Sequence, residues 1–159
     1  MTRPSARPFS FRLFVPLALA TALGAGYAPI APGTWGSAVG LLLWFALPST
    51  PWIQALVIVA VVAAGVWSGG VAEGHFGRTD PGQVVIDEVA GMLVTLFLNP
   101  VGWRGAVAGF FLFRAADILN PIPARRLERR HGGLGIMADD VMAGIYANVA
   151  LRVILALRH

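Results

Sequence analysis

Residues 52 to 72 read WIQALVIVAVVAAGVWSGGVA, 21 residues without a charge. At 1.5 Å per residue a helix of that length covers about 30 Å, the thickness of the hydrocarbon layer of a bilayer, so the segment is expected to be a transmembrane helix. The whole chain agrees. Of its 159 residues, 57% are hydrophobic and 13% charged, whereas roughly a quarter are charged in ordinary soluble domains. One domain is expected at this length, preceded by a short basic leader: residues 1–12 form the leader and 13–159 a single helical membrane domain.

Working outward, Gly36 to Leu47 (GSAVGLLLWFAL) is apolar but short, bounded by Pro32-Gly33 and by Pro48 to Pro51. It is expected to run obliquely or to join a broken helix. Val84 to Leu98 carries Asp87 and Glu88 at its start. Val101 to Leu119 carries Arg114 and Asp117 near its end, and Val141 to Leu157 is apolar apart from Asn148 and Arg152. The fold class is expected to be all-α, with Leu13 to Trp35 dipping into the membrane and returning. The chain is then a polytopic helical membrane protein with about four transmembrane helices plus a broken or re-entrant N-terminal helix. The leader also has the order of a secretory signal, arginines followed by LFVPLALATALGAG. No soluble domain follows it, and APIAPGT reads as part of the site, so it is read as retained.

The sequence holds no cysteine, which excludes disulfides, thiolate zinc sites and a cysteine nucleophile. All twelve basic residues are arginine and the net charge is +4, which suits anionic lipid headgroups and phosphate, not nucleic acid. Arg3, Arg7 and Arg12 in the leader, with Arg125, Arg126, Arg129 and Arg130 after Asn120, place both stretches in the cytoplasm by the positive-inside rule. All eight acids lie between Glu73 and Asp140, and with that orientation all of them fall at the cytoplasmic face. Arg104, near the opposite turn at Asn99-Pro100, runs mildly against it. Energetics point the same way, since a charge at mid-bilayer costs about 2.5–3.5 kcal/mol and helix ends avoid that cost.

Four stretches carry chemistry. In Gly26 to Ser37 (GYAPIAPGTWGS), Gly and Pro break the helix and expose backbone N–H groups, with Thr34 and Ser37 as hydroxyl donors for an anion; an ordinary helix-breaking turn is the plainer reading. In Glu73 to Gly91, Asp87 and Glu88 occupy a first helical turn, where one carboxylate serves as a cap. Two, beside Asp80 and Glu73, repel one another unless a cation lies among them, and hard oxygen donors suit Mg²⁺. His75 reads as an interfacial histidine. In Phe113 to Gly133, Arg114 and Asp117 share a helix face, either as an intramembrane ion pair or with Asp117 on the metal and Arg114 on phosphate. The run Arg125 to Arg130 reads first as an anchor for anionic membrane lipid. In His131 to Gly144, Asp139-Asp140 is expected to open the last helix as Asp87-Glu88 opens an earlier one.

At APGTWGS (31–37), DEVAGM (87–92), FRAADILNPIP (113–123) and HGGLGIMADDVMAG (131–144) the chain resembles the phosphatidylglycerophosphatase A family, over about residues 24–150. The resemblance implies a Mg²⁺-dependent enzyme of the bacterial cytoplasmic membrane, multi-pass and with its active site toward the cytoplasm. Its activity would be removal of the terminal phosphate of phosphatidylglycerophosphate to give phosphatidylglycerol, a precursor of cardiolipin. It also implies that Asp87, Glu88, Asp117, Asp139 and Asp140 hold one or two Mg²⁺ and, with Arg114, carry catalysis. Gly33, Thr34, Ser37, Arg114, Arg125 and His131 would bind phosphate. Asn120 departs from the lysine expected before Pro121, a role that then falls to an arginine such as Arg125. The rival classes are a small transporter or ion-conducting subunit with an acidic cation site, and a CDP-alcohol phosphotransferase, whose DGxxAR signature is absent.

Overall fold

The computed structural model describes residues 11–119 and 132–157, and no strand occurs among them. Among the described residues six α-helices follow one another: α1 Phe11–Ala20, α2 Pro32–Ala46, α3 Pro51–Phe76, α4 Ile86–Leu96, α5 Trp103–Leu119 and α6 Gly133–Ala156, with a 3₁₀ turn at Ala25–Tyr27. Prolines open α2 and α3 at the first helical turn, where a missing N–H costs nothing. A break follows α1: the helix ends at Ala20, a 3₁₀ turn and a bend precede α2, and the Ala20 carbonyl accepts from the Val85 amide at 2.8 Å. The end of α1 therefore lies beside the start of α4.

α4 is the centre of the bundle. It packs against α2, α3, α5 and α6 and is buried along nearly its whole length. The crossings are close because they are lined by glycine, the usual device where helices pack without a hydrophobic drive between them. A Cβ on Gly144 of α6 would come within 2.5 Å of the Gly91 carbonyl oxygen of α4, and one on Gly133 would collide with the Val66 carbonyl of α3. One apolar cluster (Leu17, Ala72, Ile86, Met137) joins α1, α3, α4 and α6. A second (Met92, Leu96, Phe113, Leu151) joins α4, α5 and α6.

The outside of the bundle is apolar in stripes: Trp52, Leu56 and Val59 on α3, Val107, Phe111 and Ile118 on α5, and Ile145, Val149 and Val153 on α6 are all exposed. Each set recurs at three-, four- or seven-residue spacing, so each helix turns one apolar face outward, as a protein solvated by lipid does. Two helices, α3 and α6, are long and apolar enough to cross a membrane. α2 and α4, at 15 and 11 residues, and the 17 described residues of α5 fall short of the roughly 20 that a crossing takes.

Two expectations about boundaries change. The 84–98 segment yields a helix of only 11 residues, ending at Leu96, with Leu98 in the left-handed region at φ 57°. The last helix begins at Gly133, not near Val141, so Asp139 and Asp140 lie two turns inside it and do not open it. Gly132, Gly133 and Gly135 are poor helix formers, but the contact of this turn with α3 overrides propensity.

The early end of α4 leaves orphan carbonyls in an apolar setting. Asn148 of α6 answers them, its Nδ2 donating to the carbonyls of Val94 (3.0 Å), Thr95 (3.0 Å) and Phe97 (2.7 Å). Asn148→Ala is expected to lower the unfolding free energy by about 1–3 kcal/mol, the cost of leaving such groups unpaired. Asn148→Leu should do no better, because added apolar volume restores no donor; unfolding in detergent measures both.

Candidate metal centre

The start of α2, the start of α4, the end of α5 and the early turns of α6 meet at one end of the bundle. From α4 come Asp87 and Glu88, in its first turn. From α6 comes Asp140. Each of the three offers a carboxylate oxygen, and these atoms all lie within 4.8 Å of one another. Asp87 is 7% and Asp140 4% exposed, while Glu88 is half-buried.

Like charges at this separation in a water-poor site repel strongly. Proton sharing or a cation relieves the repulsion, and the orphaned oxygens favour a cation. Asp87 Oδ1, Glu88 Oε2 and Asp140 Oδ2 are buried with no hydrogen-bond partner among the described residues. Buried acceptors left open are the sign of a missing donor or ion. Carboxylate oxygens without sulfur or imidazole make a hard donor set, the kind that holds Mg²⁺ with part of its shell left for water or a phosphate oxygen.

Around the triad stand the remaining charged groups. Asp117 lies within coulombic reach of Glu88 and Asp140, yet its Oδ2 is paired with Arg114 Nη1 at 2.5 Å. The ion pair and proximity to the acids, posed as alternatives by the sequence, are thus both present. Asp139 is half-buried beside Asp140, but it is not one of the three residues whose oxygens converge. Asp80 is within coulombic reach of Asp87.

The first turn of α2 comes close to the acids and to Arg114. A Cβ on Gly33 would run into Glu88 Oε1 and sit 3.1 Å from Arg114 Nη1, so only glycine leaves that corner open. Ala31 caps α2 with φ 49°, turning the chain into the helix just ahead of Gly33. Thr34 is half-buried on the same turn. Ser37 departs from expectation, because it is fully buried and its hydroxyl donates to the Gly33 carbonyl at 2.8 Å. Its proton serves the helix and not an anion. Arg125, His131 and Asn120 lie outside the described residues.

Two residues with structural partners were not read correctly from sequence. Glu73, grouped there with the acids, instead accepts from the Gly132 amide at 2.6 Å. Asn148 looked like an interruption in an apolar helix. The only sequence sign of either was a polar residue in an apolar run, which does not name its partner.

The chain is similar to proteins that are already known. The profile of the family described as phosphatidylglycerophosphatase A matches residues 18–155. A protein of Escherichia coli K12 named phosphatidylglycerophosphatase A is 38% identical over 130 residues, covering 80% of this chain and 76% of that protein. One of the same name from Haemophilus influenzae Rd is 36% identical over 137 residues, 84% of each. A protein of Bacteroides thetaiotaomicron, provisionally named a phosphatidylinositol-3-phosphatase, is 36% identical over 162 residues and 96% of each chain. No solved structure matches significantly.

A Gly33→Val substitution should push Glu88 or Arg114 aside. The expected result is a fall in Mn²⁺ affinity of about tenfold, of the size seen when groups supporting metal ligands are moved. Gly74→Ala, whose Cβ would meet nothing within 4 Å, should leave the affinity unchanged; titration of each purified protein with Mn²⁺ compares them.

Proposed function

The chain belongs to the phosphatidylglycerophosphatase A family, and from that membership we propose that it hydrolyses phosphatidylglycerophosphate to phosphatidylglycerol and inorganic phosphate in phospholipid synthesis. The observation that carries the proposal is the convergence of Asp87, Glu88 and Asp140 within 4.8 Å, with Arg114 and the first turn of α2 alongside.

In this reading Asp87, Glu88 and Asp140 are the principal ligands of Mg²⁺, and Asp117 and Asp139 stand close enough to hold a second ion or its water. The ion, when bound, polarises the phosphoryl group and lowers the pKa of a coordinated water. The protein does the rest. Asp117 orients the Arg114 guanidinium by their ion pair, so its planar fork is held ready for phosphate oxygens instead of being ordered by them. Arg114 Nε, buried and without a partner among the described residues, is one donor free for that purpose. Gly33 keeps side-chain bulk out of the corner, and Thr34 offers a hydroxyl from the same turn. Arg125 and His131 are proposed to add charge and donors from the adjoining segment.

The same reading covers the setting. Residues 13–159 form one multi-pass phosphatase domain in the bacterial cytoplasmic membrane, preceded by the basic leader of residues 1–12. About four crossings are proposed, with α1 re-entrant: α3 and α6 are long enough by themselves, and the shorter α2, α4 and α5 would carry the chain across together with the turns that flank them. The arginines of the leader and of 125–130 support a cytoplasmic site and contacts with anionic lipid. A transporter is disfavoured, because the long apolar helix α3 carries only Gln54 and Ser68 as polar groups between Trp52 and Ala72.

Phosphate release from phosphatidylglycerophosphate in the presence of Mg²⁺ tests the activity. Asp140→Asn and Asp87→Asn are expected to abolish it and chelation to silence the parent. Arg114→Ala should lower kcat by about 10²–10³-fold, the usual cost of a lost donor to transition-state charge. Faster release from phosphatidylinositol 3-phosphate would shift the substrate toward the activity named for the Bacteroides relative, and full activity of Asp140→Asn would end the metal assignment. Orientation is tested separately in this cysteine-free chain. A cysteine placed at Ser49 should react with an impermeant maleimide added outside intact cells, and one at Thr79 only after lysis.

A further inference from the structure

Glu73 lies in the last turn of α3, and Gly132 is the residue that caps α6. Glu73 Oε2 accepts the Gly132 N–H at 2.6 Å, across 59 residues of sequence. A carboxylate on the first free amide of a helix is the charge-assisted form of an N-cap, stronger than its neutral counterpart. Gly132 has φ 90° and ψ 171°, a backbone shape that residues with a side chain rarely adopt. Gly133 next to it presses on the Val66 carbonyl. The two glycines therefore let α6 begin directly on top of the end of α3, and the Glu73 carboxylate fastens it there.

From this point α6 runs without a break to Asp140, eight residues on, or about 12 Å. Each residue turns the helix by about 100°. A slip of a single residue at the fastening would swing the Asp140 carboxylate away from Asp87 and Glu88. We infer that Glu73 is a positioning residue for the metal centre: its hydrogen bond to Gly132 sets the register of α6 and so the place of Asp140. The inference rests on the metal reading of the triad. Glu73 is not among the residues whose oxygens converge there, so it acts through the helix and not on the ion.

Mn²⁺ alone, titrated into detergent-solubilised protein and followed by the paramagnetic resonance of the free ion, tests the inference without turnover. Glu73→Ala should weaken binding by about 10–100-fold, the usual effect of removing a group that orients a ligand. Two conservative variants separate hydrogen bonding from charge. Glu73→Gln keeps length and an acceptor oxygen, so it should recover most of the affinity. Glu73→Asp keeps the charge but withdraws it by one methylene, and should not. Asp binding as tightly as Gln, or Ala binding as tightly as the parent, would overturn the inference. Because that order compares two conservative variants, it decides the matter even if the alanine variant folds poorly. Asp140→Asn is the control: if it too binds like the parent, the metal reading has failed, whereas its loss of binding beside an unaffected Glu73→Ala removes only the role of Glu73.

Discussion

Three carboxylates facing one another in a buried space place a demand on everything around them. The repulsion among Asp87, Glu88 and Asp140 grows as water is excluded, and no ordinary packing contact is large enough to compress such a cluster. It survives only if the helices carrying it are held by other means and if shared protons or a cation relieve the repulsion. The rest of the bundle can be understood as the holding. α4 carries two of the three acids and is enclosed by α2, α3, α5 and α6. α6 carries the third and is drawn against α4 so closely that Gly91 and Gly144 meet with no side chain between them.

This arrangement also accounts for where the polar residues are. A short central helix exposes its backbone ends to an apolar interior, and each end must be satisfied locally. At its start, the acids themselves lie in the first turn, the favourable end of the helix dipole. At its finish, Asn148 covers three carbonyls, and Asn99 Nδ2 returns to the Thr95 carbonyl at 3.1 Å. Thr95 Oγ1 meets the Gly91 carbonyl at 2.8 Å, beside the crossing. α6 is thus tied to its neighbours at Gly132 and at Asn148, eight residues to either side of Asp140. A ligand needed at one point of a long helix is most firmly placed when the helix is held on both sides of that point.

Much of this was legible in the sequence. The long helix at Trp52 to Ala72 is a matter of length and hydropathy, and the break before α2 follows from Pro and Gly. The acid pairs were legible because adjacent carboxylates in an apolar chain have few other uses. What was hidden depended on contacts. Gly133 and Gly135 are weak helix formers in isolation, so the true start of α6 and the depth of Asp139 and Asp140 within it could not be read before α3 was placed against it. The same holds for Ser37, whose hydroxyl is taken by its own helix, and for Glu73, whose partner is 59 residues away. The short α4 was concealed by the apolar Phe97 and Leu98 that follow it; hydropathy cannot distinguish a continuing helix from a left-handed turn stabilised by a donor from elsewhere.

Relatives of similar identity carry the names of two different lipid phosphatases, and the proposed function suggests how one framework would suit both. Under the proposed function, carboxylates, a guanidinium and a helix start would address a phosphate monoester, the group that phosphatidylglycerophosphate and a phosphoinositide share. None of them requires a glycerol or an inositol beyond the phosphate. Under the proposed function, preference between such headgroups must therefore come from residues outside the triad and Arg114. These need to sit at the same end of the bundle, where a headgroup projects from the bilayer. In the described residues that end is bordered by the turn between α1 and α2, with Leu23, Tyr27 and Ile30 exposed on it. None of these three residues takes part in the contacts that fasten α4 to α6, so they can vary without disturbing the carboxylates, and a change of headgroup is compatible with an unchanged site.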